Sequence, residues 1–315
     1  MPVIKRTLEI SREPAHLAIS HRQLLLKRDG TVVATIPCED LGVVVVDHPQ
    51  TTYTHAALTT LMSSDAVVVV CGPDHLPCGI LLPLADHTQV VWRLKAQVAA
   101  SLPTKKRIWQ QLVRAKIQAQ ADNLVAGSPV EKRLRGFAAR VRSGDPENLE
   151  AQAAKAYWSV WLMLAPQTLD PARFSRDPDQ PGINALLNYG YAILRAAVAR
   201  AIVAAGLHPA LGVFHSNRSN AFCLADDLLE PLRPMVDARV RDLAFEGHHE
   251  LTQEVKAELL GLLTEDTRLG DSSGPLLVVL HRYVSSLVTC LEGGSQVLEI
   301  PRPCNSAATA PCGSS

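Results

Sequence analysis

The pattern of apolar residues changes near residue 87, from short strand-like runs to long helical ones. QLLLKR and TVVATI flank Asp29-Gly30, a dipeptide typical of hairpin turns, and LGVVVVDH and AVVVVCG are β-branched runs bounded by turn residues. THAALTTLMSS, between the last two runs, predicts a short helix. From residue 87, VVWRLKAQVAASL, RIWQQLVRAKIQAQADNL and EKRLRGFAARV follow a helical period, with breaks at Pro103 and at the GSP of residues 127 to 129.

This order of patterns in a chain of 315 residues favours two domains, each with its own core. We predict an α+β protein with a small β domain at residues 1–86 and a larger all-α domain at residues 87–292. The end of the chain, PRPCNSAATAPCGSS, is rich in small residues and contains prolines. We therefore expect residues 293–315 to be poorly ordered.

Several classes of protein are disfavoured by composition and by the absence of their sequence motifs. We find no apolar run near the ~20 residues that span a bilayer, and MPVIKRTLEI does not resemble a secretory signal. We therefore expect a soluble, cytoplasmic protein without a membrane partner. Seven cysteines without CxxC spacing argue against a disulfide framework and a zinc ribbon. No GxSxG, Walker or dinucleotide-binding pattern is visible, which disfavours nucleophilic and nucleotide-cofactor chemistry.

Charge is unevenly distributed although the formal net charge is zero. Residues 91 to 142 contain twelve Lys or Arg against Asp122 and Glu131, a local net charge of +10. Such asymmetry indicates a surface for phosphates, and solvated faces of basic helices are the alternative explanation. The basic residues are Arg93, Lys95, Lys105, Lys106, Arg107, Arg114, Lys116, Lys132, Arg133, Arg135, Arg140 and Arg142.

Glu150 begins an unusual helical stripe. Asp145 is a good N-cap and Pro146 suits the first helical position, so we expect a helix to begin there. The residues that follow Glu150 at helical spacing are aromatic and aliphatic. An unpaired buried carboxylate costs several kcal/mol, so Glu150 needs a cation, a strong donor or open water nearby. The alternative is an exposed glutamate favoured by the helix dipole.

A second group of acids lies in HSNRSNAFCLADDLLEPLRPMVD, residues 215 to 237. Asp226 and Glu230 are four residues apart and Asp227 and Glu230 are three apart, so a helix aims all three carboxylates at one side. A divalent cation would relieve their repulsion, and Glu150 could join them. Carboxylates with the single imidazole of His215 suit Mg²⁺ or Mn²⁺ better than zinc.

The surroundings of this segment set further expectations. His215 precedes the helix, where a loop could fold its ring back towards Glu230, and a structural histidine is the alternative. Pro231 and Pro234 remove backbone donors around Glu230. We expect a kink or a tightened turn there.

Several separated blocks resemble one known family. They are ENLEAQAAKAYW at 147 to 158, PGINALLNYGYAILRAAVARAI at 181 to 202, GLHPALGVFHSNRSNAFCLADDLLEPLRPMVD at 206 to 237, and LGVVVVDHPQTTYT and HLPCGILLPL in the β region. This pattern is similar to the CRISPR-associated spacer-acquisition integrases, the family of CRISPR-associated protein one, and most similar to its members from type II systems. The resemblance covers nearly the whole chain except the tail.

The resemblance implies an N-terminal β-sandwich, a helical catalytic domain and a divalent-metal site. It places the catalytic metal ligands at Glu150, His215 and Glu230, with Asp227 at a nearby supporting position. The family's asparagine and tyrosine block falls on Asn184, Asn188 and Tyr189, which we take as helix packing and support of the site.

The implied activity is that of a metal-dependent DNA endonuclease or integrase. The 3′-hydroxyl of a prespacer attacks a phosphodiester at the edge of a CRISPR repeat, with Mg²⁺ or Mn²⁺ as cofactor. The implied partners are double-stranded DNA, a second copy of the chain, a second adaptation protein in a heterohexamer, and the effector nuclease. The residues expected to contact the DNA backbone are Lys105, Lys106, Arg107, Lys132, Arg133 and Arg135.

Two other functions stay open at the level of sequence. A helical DNA-binding scaffold with a structural metal would share the basic region and the acidic site but would not transfer strands. A generic metal-dependent nuclease would only hydrolyse DNA.

Overall fold

The computed structural model describes residues 5–84, 87–162 and 174–304. The strands are β1 Arg6–Ile10, β2 His16–Ser20, β3 Gln23–Arg28, β4 Thr31–Pro37, β5 Leu41–Val46, β6 Thr52–Tyr53, β7 Val67–Cys71, β8 Pro77–Leu81, β9 Asp266–Leu269, β10 Ser272–Pro275 and β11 Arg302–Pro303. The helices are α1 His55–Ser63, α2 Val90–Ala99, α3 Leu102–Asp122, α4 Pro129–Arg140, α5 Leu149–Trp158, α6 Ile183–Ala204, α7 Cys223–Leu229, α8 Arg233–Phe245, α9 Gln253–Gly261 and α10 Leu276–Leu291.

Two four-stranded sheets form the N-terminal part, with strand orders β1-β5-β7-β8 and β4-β3-β2-β6. The predicted hairpin is β3–β4, which is antiparallel and turns at Asp29 and Gly30, both with positive φ. The predicted short helix is α1, capped by the Thr54 side chain, which accepts from the Ala57 backbone N–H. A β domain followed by a mainly helical domain is therefore confirmed.

Strand β5 explains why LGVVVV contains no polar residue. Val44 and Val46 lie in the core of the β domain, while Val43 and Val45 belong to the core of the helical domain. Because successive side chains of a strand point to opposite faces, a strand covered on both faces must be apolar throughout. The sheet β1-β5-β7-β8, to which β5 belongs, therefore packs against the cores of both domains.

Helix α6 is the centre of the helical domain. It is apolar and long enough to cross a membrane by length and composition alone, and 78% of its most apolar window is buried inside the protein. A helix that is apolar all round is expected in a protein core. The expectation that no apolar run approaches a spanning length missed this segment. At Gly190 a side chain would clash with Val236, so glycine permits the close contact of α6 with α8.

Two details of the predicted architecture need correction. The C-terminal domain is not all-α, because β10, β9 and β11 form a small antiparallel sheet. Residues 293–304 also have defined positions: Leu298 is buried, and Arg302–Pro303 pair with β9. The expected disorder therefore does not hold for residues 293–304, and residues 305–315 lie outside the described residues.

Ion pairs with at least one buried partner join the two domains. Lys256 on α9 contacts the carboxylate of Asp47, which follows β5, and their side chains are 5% and 1% exposed. His75 also binds Asp47, through Nδ1 at 3.0 Å from Oδ1. Arg200 on α6 is bonded to the backbone and side chain of Asp65, which precedes β7. The exact domain boundaries stay a prediction.

Candidate metal and DNA site

Glu150 lies in the first turn of α5. The helix begins at Leu149, three residues later than Pro146 predicted, because the Asp145 carboxylate caps it from outside. Both oxygens of Asp145 accept backbone N–H groups, from Leu149 and Glu150, at 2.9 Å each. This cap fixes the backbone of Glu150, whose side chain is 26% exposed.

Glu230 lies where α7 gives way to a 3-10 turn, Glu230–Leu232, before α8 begins. This is the tightened turn expected from Pro231 and Pro234. The Glu230 side chain is 9% exposed and accepts from Arg233 Nε at 2.9 Å. Its position is therefore set by the backbone turn and by an arginine one turn later.

Lys116 of α3 joins the two glutamates. Its Nζ donates to Glu150 Oε1 and to Glu230 Oε2. The cation required beside Glu150 is thus present, and the alternative of an exposed first-turn glutamate is wrong. Burial alone would lower the pKa of Lys116, but Glu230 and Glu150 outweigh it and raise the pKa. Burial would raise the pKa of Glu230, but Arg233 and Lys116 lower it to about 2.

The sequence prediction missed the role of Lys116 by placing it in the basic surface. A signal was available: the buried face of α3 runs through Leu112, Val113, Ile117 and Gln120, and Lys116 lies on it. A lysine inside an apolar stripe needs a buried anion as partner.

His215 is held by Asp227, which is fully buried. The carboxylate of Asp227 accepts from the backbone N–H groups of residues 213 to 215, at 2.7, 3.0 and 3.1 Å, and from His215 Nδ1 at 2.6 Å. The hydrogen bond to Asp227 raises the pKa of His215, with burial opposing it. A side chain at Gly212 would clash with the His215 carbonyl, so glycine lets this loop wrap around Asp227.

Aromatic rings cover the histidine. Trp109 of α3 stacks on Phe214 with ring centroids 4.0 Å apart, and it lies perpendicular to the His215 ring with centroids 5.6 Å apart. Trp109 is buried and Phe214 is half exposed. The His215 ring is therefore fixed by a carboxylate and by two aromatic neighbours.

The three acids of CLADDLLE do not share a side, contrary to the helical-spacing expectation. Asp226 binds Arg195 Nε at 3.0 Å and Asn220 Nδ2 at 2.6 Å, while Asp227 binds the loop and Glu230 binds Lys116. Each carboxylate has its own cationic or N–H partners, so their mutual repulsion is relieved without a shared ion.

The metal roles of Glu150, His215 and Glu230 stay a prediction. In the described part of the chain, no group of three or more His, Cys, Asp or Glu side chains is arranged to hold a metal ion. The donor chemistry nevertheless fits a hard cation, because two carboxylates from different helices converge on one buried cation, the Lys116 ammonium. A metal ion there would take the place of that ammonium.

The asparagine and tyrosine block divides between two faces of α6. Asn184 and Asn188 accept from Arg176 at 3.0 and 2.7 Å, on the side of Arg233. Tyr189 does not support the site: it is buried at the β domain, where Lys256 lies 6.0 Å from its ring. Neighbouring helical residues point about 100° apart, which explains the split.

The expected DNA-binding residues form two groups at opposite ends of an α3–α4 hairpin. The Lys106 carbonyl accepts from Gly144, beyond the end of α4, while Arg135 binds Asp122 at the far end of α3. The span from 106 to 122 along α3 is roughly 24 Å. Lys132 and Arg133 are exposed. Arg135 is bound to Glu131 and Asp122, so its charge is already partnered.

The model of the CRISPR-associated protein Cas1 family matches residues 8–269. The chain belongs to the Cas1 family. It is 39% identical to a CRISPR-associated endonuclease Cas1 of Neisseria meningitidis over 274 residues, which cover 86% of this chain and 87% of that protein. A Cas1 protein of Pyrobaculum aerophilum is 31% identical over 252 residues, 75% of this chain and 82% of its own.

Solved structures show the same fold at lower identity. A casposase bound to an integration product superposes with a TM-score of 0.77 at 19% identity, covering 93% of this chain and 92% of its own. A Cas1 protein of Thermotoga maritima gives a TM-score of 0.72 at 17% identity, covering 91% and 97%. The resemblance to the Cas1 family inferred from the quoted blocks is confirmed by the family match and by the Neisseria relative.

Proposed function

We propose that this protein is a metal-dependent DNA integrase of CRISPR adaptation. The observation that carries the proposal is the convergence of Glu150 and Glu230, from two separate elements, on one buried cationic position. Membership of the Cas1 family supports it, since the Neisseria relative is named an endonuclease. The proposed metal ligands are Glu150, Glu230 and His215, and the proposed cofactor is Mg²⁺ or Mn²⁺.

The reaction is a transesterification. The 3′-hydroxyl oxygen of a prespacer strand forms a bond to a phosphorus atom at the edge of the repeat. The bond from that phosphorus to the 3′-oxygen of the neighbouring nucleotide outside the repeat breaks, and the proton lost by the attacking hydroxyl balances the one gained by the leaving oxygen. One phosphodiester replaces another, so no nucleotide is consumed. A divalent cation supplies charge stabilisation at the phosphate and favours deprotonation of the attacking hydroxyl.

The residues around the cation position have distinct tasks in this proposal. Asp227 holds Nδ1 of His215, so in the neutral ring Nε2 keeps the lone pair that a metal ligand needs. Arg233 neutralises the second oxygen of Glu230 and holds that carboxylate in place. Trp109 and Phe214 keep water from one side of His215.

The proposed partners follow from the task. Inserting both ends of a spacer needs two catalytic centres, so we expect the protein alone to be a homodimer. Solved structures with a similar fold include a Cas6-RT-Cas1–Cas2 complex and a Cas1–DNA complex. We extend both partners, a second adaptation protein and double-stranded DNA, to this chain.

A strand-transfer assay tests the proposal. The purified protein, with and without its partner protein, is incubated with a repeat-bearing supercoiled plasmid and a labelled short duplex, in Mn²⁺ or EDTA. We expect label joined to the plasmid only with Mn²⁺ and only from a 3′-hydroxyl end, and none from a dideoxy end. Glu150→Ala, His215→Ala and Glu230→Ala should each abolish joining and leave DNA binding nearly intact.

The same assay separates the two other functions. Hydrolysis of the plasmid without joined label would indicate a generic nuclease. DNA binding with neither cutting nor joining, in Mn²⁺ and with the partner present, would indicate a scaffold. Either result overturns the proposal.

A further inference from the structure

A cleft of about 320 Å³ lies beside Glu230, at the junction of α6, α8 and the start of β8. Three arginines line it, Arg176, Arg195 and Arg233, together with Asn188 and Tyr191. None of its lining residues, all within the described part of the chain, is acidic. Three guanidinium groups line one small cleft, and two of them, of Arg195 and Arg233, are each paired with one carboxylate, Asp226 and Glu230.

Two of these arginines are fixed through one nitrogen only. Arg195 Nε donates to Asp226 at 3.0 Å, and Arg233 Nε donates to Glu230 at 2.9 Å. A guanidinium has five N–H groups, so four remain on each arginine for a ligand. Within the described residues no hydrogen bond from their terminal nitrogens is found. Their side chains are 39% and 26% exposed, which combines access for a ligand with weakened screening by water.

The third arginine and a tyrosine complete the arrangement. Arg176 and Arg233 both lie against the Tyr191 ring, 5.6 and 4.7 Å from its centroid. The ring offsets part of the repulsion between the two cations. Asn184 and Asn188 hold the terminal nitrogens of Arg176 at 3.0 and 2.7 Å. The cations are therefore positioned by the fold before any ligand binds.

We infer that this cleft binds a backbone phosphate of the DNA strand that enters the Glu150–Glu230 site. This inference rests on the proposed function, because it takes the ligand to be the reacting strand. Arg233 connects the two places, since one of its nitrogens holds Glu230 while the rest of its guanidinium borders the cleft. Planar guanidinium groups bind phosphate oxygens in pairs, and the terminal N–H groups of Arg195 and Arg233 are not used by their carboxylate partners. The cleft sets which phosphate lies beside the reacting one.

Binding measurements in EDTA test the cleft separately from the chemistry. The probe is a duplex with a single-stranded 3′ overhang, whose duplex end fixes the register. One overhang phosphate at a time is replaced by a neutral methylphosphonate, and affinity is measured by fluorescence anisotropy. In the parent protein, one linkage should stand out with a loss of roughly ten- to a hundredfold, the size expected for charge-assisted hydrogen bonds.

Variants show whether the arginines of the cleft bind the phosphate at the sensitive linkage. The double variant Arg176→Gln/Arg195→Gln keeps Arg233, and thus the Glu230 contact. It should bind the unmodified probe more weakly, and the sensitive linkage should no longer stand out. Its slope of log affinity against log salt should shrink by about 0.7, because one phosphate is no longer neutralised. Arg268→Gln, an exposed arginine of β9, is the matched control and should behave like the parent.

Each outcome of these measurements supports or contradicts the inference about the cleft. Equal losses at every linkage in the parent overturn the inference, whether or not the variant folds, and so does a sensitive linkage that persists in the double variant. A sensitive linkage that depends on the arginines, without any strand transfer, supports the cleft and removes the proposed function. Strand transfer without a sensitive linkage supports the proposed function and overturns the inference about the cleft.

Discussion

Lys116 occupies the place between Glu150 and Glu230 that the proposed cation would take. A buried lysine between two carboxylates is a stable arrangement only while all three charges are present. Binding of a divalent cation must therefore compete with the ammonium group. The lysine is part of the site's energetics even though it is not a ligand.

Replacing Lys116 by methionine tests this competition. Lys116→Met should bind Mn²⁺ about tenfold more tightly by calorimetry, because no ammonium has to leave. Without metal its free energy of unfolding should fall by about 3 kcal/mol, because Glu150 and Glu230 then face each other without their shared cation. Lys105→Met, on the same helix, should change neither quantity. An unchanged Mn²⁺ affinity in Lys116→Met would mean that the lysine and the metal do not share a place.

Asp237, on α8, predicts a dependence of stability on pH. Burial raises its pKa to about 6, against the hydrogen bonds from Tyr191 and Tyr157. The folded protein then holds more protons than the unfolded chain between about pH 4 and 6, so this residue's contribution to stability falls as pH rises through that window. The free energy of unfolding of the parent minus that of Asp237→Asn should fall by about 3 kcal/mol at most from pH 4 to 7. Urea titrations of both proteins measure it, and a difference that rises with pH would refute the assignment.

At the level of single residues the sequence predicted that Glu150 needs a cation, but it did not predict which groups the other acids bind. The need of Glu150 for a cation followed from the cost of burying a carboxylate, and Lys116 supplies it. The helical-spacing argument for Asp226, Asp227 and Glu230 failed because it ignored what else each carboxylate could bind. The carboxylate of Asp227 accepts hydrogen bonds from three backbone N–H groups and from His215. All four groups lie on one loop, whose path cannot be predicted from a local sequence pattern.

The elements were predicted well wherever the pattern was long or the turn chemistry specific. The hairpin at Asp29-Gly30, helix α1 and the tightened turn at Pro231 all follow from local chemistry. The start of α5 was wrong by three residues, because Asp145 caps through its side chain from outside the helix. The small β9–β10–β11 sheet was missed because β9 and β10 have only four residues each, and β11 has two and pairs with a strand distant in sequence.

The α3–α4 hairpin carries the prediction about DNA binding. Reversing Lys105, Lys106 and Arg107, or separately Lys132 and Arg133, to glutamate should weaken binding to duplex DNA. The slope of log affinity against log salt should fall by roughly 0.9 for each phosphate that the variant no longer neutralises. Arg135→Gln should change the slope less than Arg133→Gln, because Arg135 is already paired with Asp122 and Glu131. If both reversals leave affinity and slope unchanged, the DNA path lies elsewhere.

The stability of the whole molecule depends on the ion pairs between the β domain and the helical domain. Lys256→Met should lower the free energy of unfolding by about 3 to 5 kcal/mol, because it leaves Asp47 buried without its lysine. Adding Asp47→Asn should recover part of that loss, since the uncompensated charge is then removed. Urea unfolding of both proteins measures the effect, and a loss below about 1 kcal/mol for Lys256→Met would show that the pair is not coupled to folding.

The order of the two domains could be predicted from the change in the spacing of apolar residues near residue 87. The ion pairs between the domains could not be predicted. The pairs Lys256–Asp47 and Arg200–Asp65 connect residues 209 and 135 positions apart. Local pattern carries no information on such pairings. The run LGVVVV did carry a signal that the sequence analysis did not use, because a strand covered on both faces is expected to be apolar throughout.

Glu230, with Glu150 and His215, is proposed to hold a divalent cation. The most direct measurement is Mn²⁺ titration by calorimetry of the parent, Glu230→Ala and Asp227→Asn. We expect no measurable binding for Glu230→Ala. For Asp227→Asn we expect affinity about ten- to a hundredfold weaker than that of the parent, because His215 loses the carboxylate that orients it. If Glu230→Ala binds Mn²⁺ like the parent while Asp227→Asn does not bind it, the metal ligand is Asp227 and Glu230 does not hold the cation.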